Sequence, residues 1–315
     1  MTLQTRRLDG VAAAASVRAE VAVSVARMAE AGAPAPCLAA VLVGDDRASA
    51  VYVRTKIKAC LEAGIVPREH RVDAKVQESD LVALIRRLGE DDTVDGILMQ
   101  MPLPRGIHAR AVIDAIDPTK DVDGFHPVNV GRLWSGEDGF VPCTPLGVMC
   151  LLEKEKIELQ GCEAVVIGRS DIVGKPMAAL LIKASATVTV CHSRTRDLPR
   201  IAARADLLVA AIGRPGFVTA EFIKPGATVI DVGINAVSSE KAARDLFGED
   251  ARRLEDIRQK GYTLAGDVHP GQADGRAGAL SPVPGGVGPL TVALLLSNTL
   301  EAARRRRAGK GWEGS

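Results

Sequence analysis

The sequence predicts an α/β protein of two domains, and three observations carry that expectation. The chain has 315 residues, more than one hydrophobic core usually serves. Helix-like and strand-like segments alternate from end to end rather than segregating. From Glu163 onward the rhythm tightens into short β-branched strands, each followed by one helix or turn. That is the pattern of successive βα units in a parallel sheet.

Taken in order, residues 11–31 read as helix, 37–43 as strand, 49–63 as helix, 80–90 as helix, 95–101 as strand and 108–116 as helix. Two prolines flanking Cys143-Thr144 mark the expected boundary, giving a first domain of residues 1–143 and a second of 144–288. Thr144 and Pro145 suit the N-cap and first position of a helix running to about Ile157. Strands are expected at Glu163–Ile167, Thr187–Cys191, Leu207–Ile212 and Thr228–Val232. The Glu/Arg-rich stretch from Ser239 to Lys260 reads as an added surface helix. A last helix, Pro289 to about Arg305, is expected to complete the first domain. The basic run Arg304–Arg307 and the tail 306–315 read as a frayed, solvated end.

Composition narrows the function classes. Hydrophobic residues make up 47% and charged residues 25%, the balance of an ordinary globular protein. A net charge of +1 gives no reason to expect a nucleic-acid partner. The longest apolar run, Leu290–Leu300, is too short for a membrane span and contains Ser297 and Asn298. Arg18, Glu20 and Arg27 interrupt the Ala-rich N-terminal segment, so no signal peptide is expected. Six cysteines without a C-x-x-C pair support neither a metal site nor a disulfide framework, and a cytoplasmic location is expected.

The stretch Ala164–Met177, AVVIGRSDIVGKPM, is strand, glycine turn and helix start. Gly168 can turn tightly after the strand, and Gly174 can let backbone approach a ligand. Free N–H groups at the helix start are expected to cradle a pyrophosphate, as in a Rossmann-like domain. The spacing departs from G-x-G-x-x-G, because Ser170 replaces the second glycine and the loop is longer. NAD binders place Asp or Glu at the end of the next strand; here the residues are Cys191-His192-Ser193-Arg194-Thr195. Ser193 and the guanidiniums of Arg169 or Arg194 suit a 2′-phosphate, so NADP is expected over NAD.

The first half carries a second group. At about 100° per residue, Ser49, Tyr52 and Lys56 form one stripe of a helix. Val53, Ile57, Cys60 and Leu61 form a neighbouring apolar stripe expected to pack inward, and Arg54 and Lys58 face solvent. Lys56 is expected at the edge of the core, where it would lose part of its hydration. Gln100 ends an apolar strand, and its amide needs partners: Lys56, a ligand or a backbone group. In Lys120-Asp-Val-Asp-Gly124 the paired carboxylates suit either an Asx-type turn or a grip on adjacent N–H donors of a heterocycle. The later acidic ligands of a calcium loop are missing. Ser281–Thr291, with three glycines and three prolines, brings bare backbone near a ligand or makes a rigid connection.

Together these stretches closely resemble one family, the bifunctional methylenetetrahydrofolate dehydrogenase/methenyltetrahydrofolate cyclohydrolases. The matching pieces, in order, are Ser49-x-x-Tyr-x-x-x-Lys56, Gln100-Met-Pro-Leu-Pro104, Lys120-Asp-Val-Asp-Gly124 and Pro142-Cys-Thr-Pro145. Gly168-Arg-Ser-x-Ile-Val-Gly-x-Pro176, Asp231-Val-Gly-Ile-Asn235 and Pro284-Gly-Gly-Val-Gly-Pro289 follow. The resemblance implies two α/β domains with a cleft between them, NADP on the second, a homodimer, and tetrahydrofolate one-carbon derivatives as substrates. By motif match Lys56 is the main catalytic group, Tyr52 and Gln100 support it, and Asp123 anchors the pterin. Ser49, Pro102, Leu103, Gly285, Gly288 and Pro289 are implied as further substrate contacts. Thr144, Gly168, Arg169, Ser170, Ile172, Gly174, Ser193, Gly213 and Ile234 are implied around NADP. Three features depart from the pattern: Leu146 stands where a basic residue is expected, Ser281 where threonine is usual, and Ala236–Ala279 is longer than the family norm.

Three rival readings differ from this one. A short-chain dehydrogenase also uses Tyr-x-x-x-Lys, but there the pair follows the glycine loop, whereas here it precedes Gly168. A non-catalytic NADP-binding regulator is opposed by Lys56, Gln100 and Asp123 occurring together. A dehydrogenase lacking the hydrolase step is not separated by sequence.

Overall fold

The structure, a computed structural model, describes residues 4–309. In chain order the elements begin β1 (Arg6–Arg7), α1 (Gly10–Glu30), β2 (Cys37–Val43), α2 (Arg47–Glu62), β3 (Val66–Val72), α3 (Glu78–Glu90), β4 (Gly96–Met99), α4 (Ala109–Ile113) and α5 (Pro127–Ser135). They continue α6 (Cys143–Lys154), β5 (Glu163–Ile167), α7 (Gly174–Lys183), β6 (Thr187–Cys191), α8 (Leu198–Ala202), β7 (Leu207–Ala210) and β8 (Thr228–Asp231). Last come β9 (Asn235–Val237), α9 (Glu240–Phe247), α10 (Ala251–Lys260), β10 (Thr263–Ala265), α11 (Pro270–Ala273), β11 (Ala279–Leu280) and α12 (Val287–Arg307). The chain divides into two compact units. One joins the residues up to Ala13 to Thr144–Thr291; the other joins Ala14–Cys143 to the chain from Val292. The N-terminal residues therefore leave the expected first domain, because β1 pairs with β11.

The unit containing Thr144–Thr291 is built on a parallel six-stranded sheet in the order β1-β11-β8-β7-β5-β6. From β5 the chain goes to β6 on one side and then to β7 on the other, so strand order reverses at β5. Val165, Ile167, Leu208, Ala210 and Val229 pack with Phe222, Ile223 and Val268 as its core. Expected strands 207–212 and 228–232 stop at Ala210 and Asp231. The stretch expected to be one added surface helix is two, α9 and α10, mounted on the antiparallel ribbon β9–β10. It has its own small core of Val237, Ala243, Leu254, Ile257 and Ala265.

In the unit containing Ala14–Cys143, three parallel strands take the order β3-β2-β4. All seven residues of β2 are buried, as a central parallel strand covered on both faces requires. One face packs on Leu81, Ile85 and Leu88 of α3 with Val112 and Ile116. Lys120, fully buried, donates from Nζ to the carbonyls of Gly89 (2.6 Å) and Asp91 (2.8 Å) and so satisfies the open C-terminus of α3. The apolar stripe of α2 is inward at Val53 and Cys60, but Leu61 is 64% exposed, a correction that narrows the buried face.

The C-terminal basic run is not a frayed end. α12 continues to Arg307, and Arg306 and Arg307 donate to the two carboxylate oxygens of Asp95 at 3.1 and 2.9 Å. Asp95 is 2% exposed and also accepts the Cys37 N–H. A buried carboxylate requires such partners, and this need holds the end of the helix. Expected tail residues 310–315 lie outside the described residues. Among the described residues no helix is long and apolar enough to cross a membrane.

Candidate active site

Register places the expected cofactor loops on one edge. Ile167 of β5 pairs with Cys191 of β6 and with Ala210 of β7, and Ala210 pairs with Asp231 of β8. These four residues end their strands in one row, at the carboxyl edge flanking the reversal of strand order, where open parallel sheets bind ligands. The residues that follow are Gly168-Arg169-Ser170, His192-Ser193, Ala211–Gly213 and Val232–Ile234. Gly168 takes φ +139, and a Cβ there would lie 2.2 Å from the Ala211 carbonyl oxygen, so only glycine lets the first and third loops meet.

The start of α7 differs from the expectation of free donors. Ser170 Oγ accepts from the N–H groups of Val173 (3.2 Å) and Gly174 (3.3 Å), and the Lys175 N–H donates to the Ser170 carbonyl. Pro176 has no N–H. The serine at the place of the second glycine therefore accepts two of the N–H groups at the helix start. After β6, Thr195 Oγ1 accepts the His192 N–H at 2.9 Å, and His192 Nδ1 accepts the Arg194 N–H. This closed turn leaves Ser193 and Arg194 exposed at its tip, and Arg169 is exposed at the end of β5. The donor set fits a 2′-phosphate, and the nearby Asp171 carboxylate is paired with Lys175. Ile172 and Ile234, 41% and 43% exposed, offer apolar surface beside the loops.

Two buried aspartates frame the loops. Asp267 accepts the N–H groups of Ile212 (2.6 Å), Gly213 (3.0 Å) and Arg214 (2.8 Å), and Asn235 Nδ2 at 2.9 Å. Asp231 accepts those of Gly233, Asp267 and Val268. Burial pushes the Asp231 carboxyl up to about 7; the N–H groups of Val268 and Asp267 oppose the rise and the Asp267 charge adds to it. A carboxyl that holds its proton more tightly folded than unfolded stabilises the native state at low pH, and the contribution is lost as pH rises through its folded pKa. Stability in urea is therefore expected to fall between about pH 5 and about pH 8, by on the order of 2 kcal/mol, and Asp231→Asn should flatten that slope. A wild-type stability that climbs across this window would overturn the assignment.

The second group sits in the other unit. Lys56 Nζ donates to Gln100 Oε1 at 3.1 Å, while Gln100 Nε2 donates to the Met101 carbonyl at 2.7 Å. The backbone bond fixes the amide so that its oxygen faces the lysine. Lys56 is half-buried and Ser49 buried, but Tyr52 lies outward at 43% exposure. The paired carboxylates of the 121–123 turn divide their work. Asp121 is buried and spent on structure, accepting the N–H groups of Phe125 and His126 and Asn129 Nδ2 (2.8 Å). Asp123 stays partly open. Burial pushes its carboxyl up to about 6, the Lys56 charge pulls it down, and the Asp121 charge adds to the rise. Gly124, at φ +70, lies too close to the backbone of Val141–Pro142 for any Cβ and turns the chain there. Lys56, Gln100 and Asp123 thus form a compact donor, acceptor and carboxylate set.

Two family models match this chain: the tetrahydrofolate dehydrogenase/cyclohydrolase catalytic domain over residues 8–123, and the NAD(P)-binding domain of the same enzymes over residues 142–307. The chain belongs to the tetrahydrofolate dehydrogenase/cyclohydrolase family. Bifunctional protein FolD of Koribacter versatilis is 50% identical over 300 residues, covering 95% of this chain and 97% of the relative. Bifunctional protein FolD 3 of Rhizorhabdus wittichii is 54% identical over 299 residues, covering 95% and 93%. The solved FolD methylenetetrahydrofolate dehydrogenase/cyclohydrolase of Campylobacter jejuni superposes with a TM-score of 0.86 at 41% identity, covering 96% of this chain and 99% of that one. The Trypanosoma brucei dehydrogenase-cyclohydrolase, solved with NADP cofactor and an inhibitor, gives 0.88 at 38% identity with the same coverage.

The other residues expected from the family divide by neighbourhood. Ile234 Cδ1 lies against Gly288, and the hydroxyls of Thr144 and Thr291 are 3.1 Å apart, which gathers Thr144, Ile234, Gly288 and Pro289 near the start of α12. α6 begins at Cys143, one residue before the expected cap, so Thr144 lies inside its first turn. Pro102 is exposed beside Gln100, while Leu103 packs on the core. Three residues of this family fold escaped sequence reasoning. Asp267 was one carboxylate among many. Asn129 drew no sequence expectation, yet it is fully buried. Asn298, noticed only as a break in an apolar run, donates to the carbonyls of Val122 (2.8 Å) and Val141 (3.3 Å) and so steadies the backbone beside Asp123.

Proposed function

We propose that this chain oxidises 5,10-methylenetetrahydrofolate with NADP and then hydrolyses the methenyl product to 10-formyltetrahydrofolate. The Lys56–Gln100 hydrogen bond, set beside the Asp123 carboxylate in a member of this family, carries the reading. When bound, NADP supplies the hydride acceptor. Ser193, Arg169 and Arg194 would hold its 2′-phosphate by charge-assisted hydrogen bonds, and the loops at the ends of β5, β7 and β8 would hold the rest of it. Asp123, when ionised, accepts two adjacent N–H donors of the pterin. Lys56 serves the attack of water on the methenyl carbon, either taking a proton from that water or holding positive charge beside it. Gln100 fixes the lysine's position, and Tyr52 flanks it. Gly285, Gly288 and Pro289 are proposed as substrate contacts on their own loop. A homodimer, which the family resemblance implies, and a cytoplasmic location, expected from composition, are proposals; sedimentation at the mass of two chains tests the first, and cell fractionation the second.

The deciding experiment follows NADPH formation from methylenetetrahydrofolate and then the decay of methenyl absorbance. Both signals are expected, with NAD at least about tenfold less effective than NADP, the scale of one lost charge-assisted bond. NADPH formation without hydrolysis would leave a dehydrogenase alone, and equal rates with NAD would refute the Ser193/Arg169 assignment.

A further inference from the structure

The segment that carries α9 and α10 does more than cover surface. Arg253, in the first turns of α10, turns inward and is half-buried. Its Nη1 donates to the Leu264 carbonyl on β10 at 2.6 Å, and its Nη2 donates to the Val283 carbonyl at 2.9 Å. The guanidinium carbon stands 4.4 Å from the centre of the Phe247 ring, which closes its open face. The fork therefore joins the β9–β10 ribbon to the residue directly before Pro284-Gly285-Gly286.

Other contacts hold that loop at its start and middle. Ser281 Oγ accepts the Asp231 N–H at 2.8 Å and holds its start, and the Gly286 carbonyl rests directly against Gly10. Beside the strand leading into it lies a cavity of about 220 Å3, lined by Arg7, Asp231, Phe247, Arg253, Pro282 and Val283. Val283 and Arg253 both line that cavity, and the guanidinium bonds the Val283 carbonyl beside it. A planar fork with two donors can bridge two carbonyls at once; an ammonium cannot hold both in one plane.

We infer that Arg253 is a positioning residue for the substrate loop Pro284–Pro289, and that α9 and α10 act as its brace. The inference rests on the proposed folate function of that loop.

Its test compares wild type, Arg253→Met and Arg253→Lys in the full-length chain. In Arg253→Met the KM for methylenetetrahydrofolate is expected to rise about tenfold, the scale of one charge-assisted hydrogen bond, with kcat and the Kd for NADP within about twofold of wild type. Arg253→Lys should recover part of the loss. Hydrogen exchange supplies a readout independent of turnover: amides at Gly285, Gly286 and Gly288 should exchange faster in Arg253→Met, while those of β5, β7 and β8 stay as protected as in wild type. Faster exchange across the whole unit, or a lowered Tm with KM unchanged, would overturn the positioning role. Absence of turnover in wild type would instead defeat the proposed function, while the exchange comparison would still decide whether Arg253 holds the loop.

Discussion

Replacing Lys56 by methionine is expected to lower the rate of methenyltetrahydrofolate hydrolysis about a thousandfold, within the range of a positioned proton-transfer group, while NADP affinity stays unchanged. Methionine keeps most of the unbranched stem of this half-buried side chain, so the fold should survive. What disappears is the nitrogen whose hydrogen bond to Gln100 Oε1 measures 3.1 Å. The amide stays oriented, because its Nε2 bond to the Met101 carbonyl is untouched. The residues expected to hold NADP belong to the other unit, so cofactor affinity separates a local chemical loss from global damage. Asp123 loses the charge that holds its carboxyl down, and its pKa should rise further above about 6. Pterin binding that depends on the ionised form would then weaken at higher pH in the variant than in wild type. Methenyl decay measured with enzyme in excess gives the hydrolytic rate directly. Hydrolysis persisting at the wild-type rate would remove Lys56 from the mechanism. Lys56→Arg separates the two roles left open: an arginine cannot give up its proton, so retained hydrolysis would favour a held charge over proton abstraction.

The legible parts of this fold were those that local chemistry dictates. β2 matches its expected bounds because seven apolar residues in a row suit a central parallel strand and little else. β5 matches for the same reason, whereas β6, a half-exposed edge strand, matches on its β-branched Thr and Val residues. β3 was missed because Val-Pro-Arg-Glu-His-Arg-Val carries the polar residues and proline that an edge strand tolerates. In the candidate site, Lys56 and Gln100 stood out as polar residues in apolar settings. By contrast, two carboxylates two positions apart look alike until the backbone turns. Only the fold gives Asp121 the N–H groups of Phe125 and His126 and leaves Asp123 open. Partners distant in sequence were illegible altogether. Arg306 and Arg307 read as a solvated run because Asp95 lies more than two hundred residues earlier. Asp267 gathers three N–H groups from a loop more than fifty residues before it.

Gly168→Ala should weaken NADP binding about a hundredfold and remove the dehydrogenase signal at ordinary cofactor concentrations, yet spare hydrolysis of added methenyltetrahydrofolate. Two costs act together. At φ +139 an L-residue is strained, by roughly 1–3 kcal/mol. The new methyl would also stand 2.2 Å from the Ala211 carbonyl oxygen, far inside contact distance, so the loops after β5 and β7 must part. Neither loop is free to yield cheaply. The Gly168 N–H is bonded to the Cys191 carbonyl at 2.9 Å, and the Ala211 N–H to the Ile167 carbonyl at 2.8 Å. Beyond Ala211, Asp267 ties down three successive N–H groups. The separation is therefore forced outward, into Arg169 and Ser170, the residues expected to meet the cofactor. A combined cost of about 3 kcal/mol corresponds to about a hundredfold in Kd if the ligand must restore the native loop. Lys56, Gln100 and Asp123 lie in the other compact unit and keep their geometry. Titrating NADP by fluorescence while assaying hydrolysis separately reads both halves of the expectation. Undiminished NADP affinity in Gly168→Ala would mean that the loops after β5 and β7 do not form the cofactor cradle. Joint loss of both activities with a lowered Tm would mean that the two units do not unfold independently, and the cradle would then be tested with Ser193→Asp, which opposes the 2′-phosphate without touching the glycine turn.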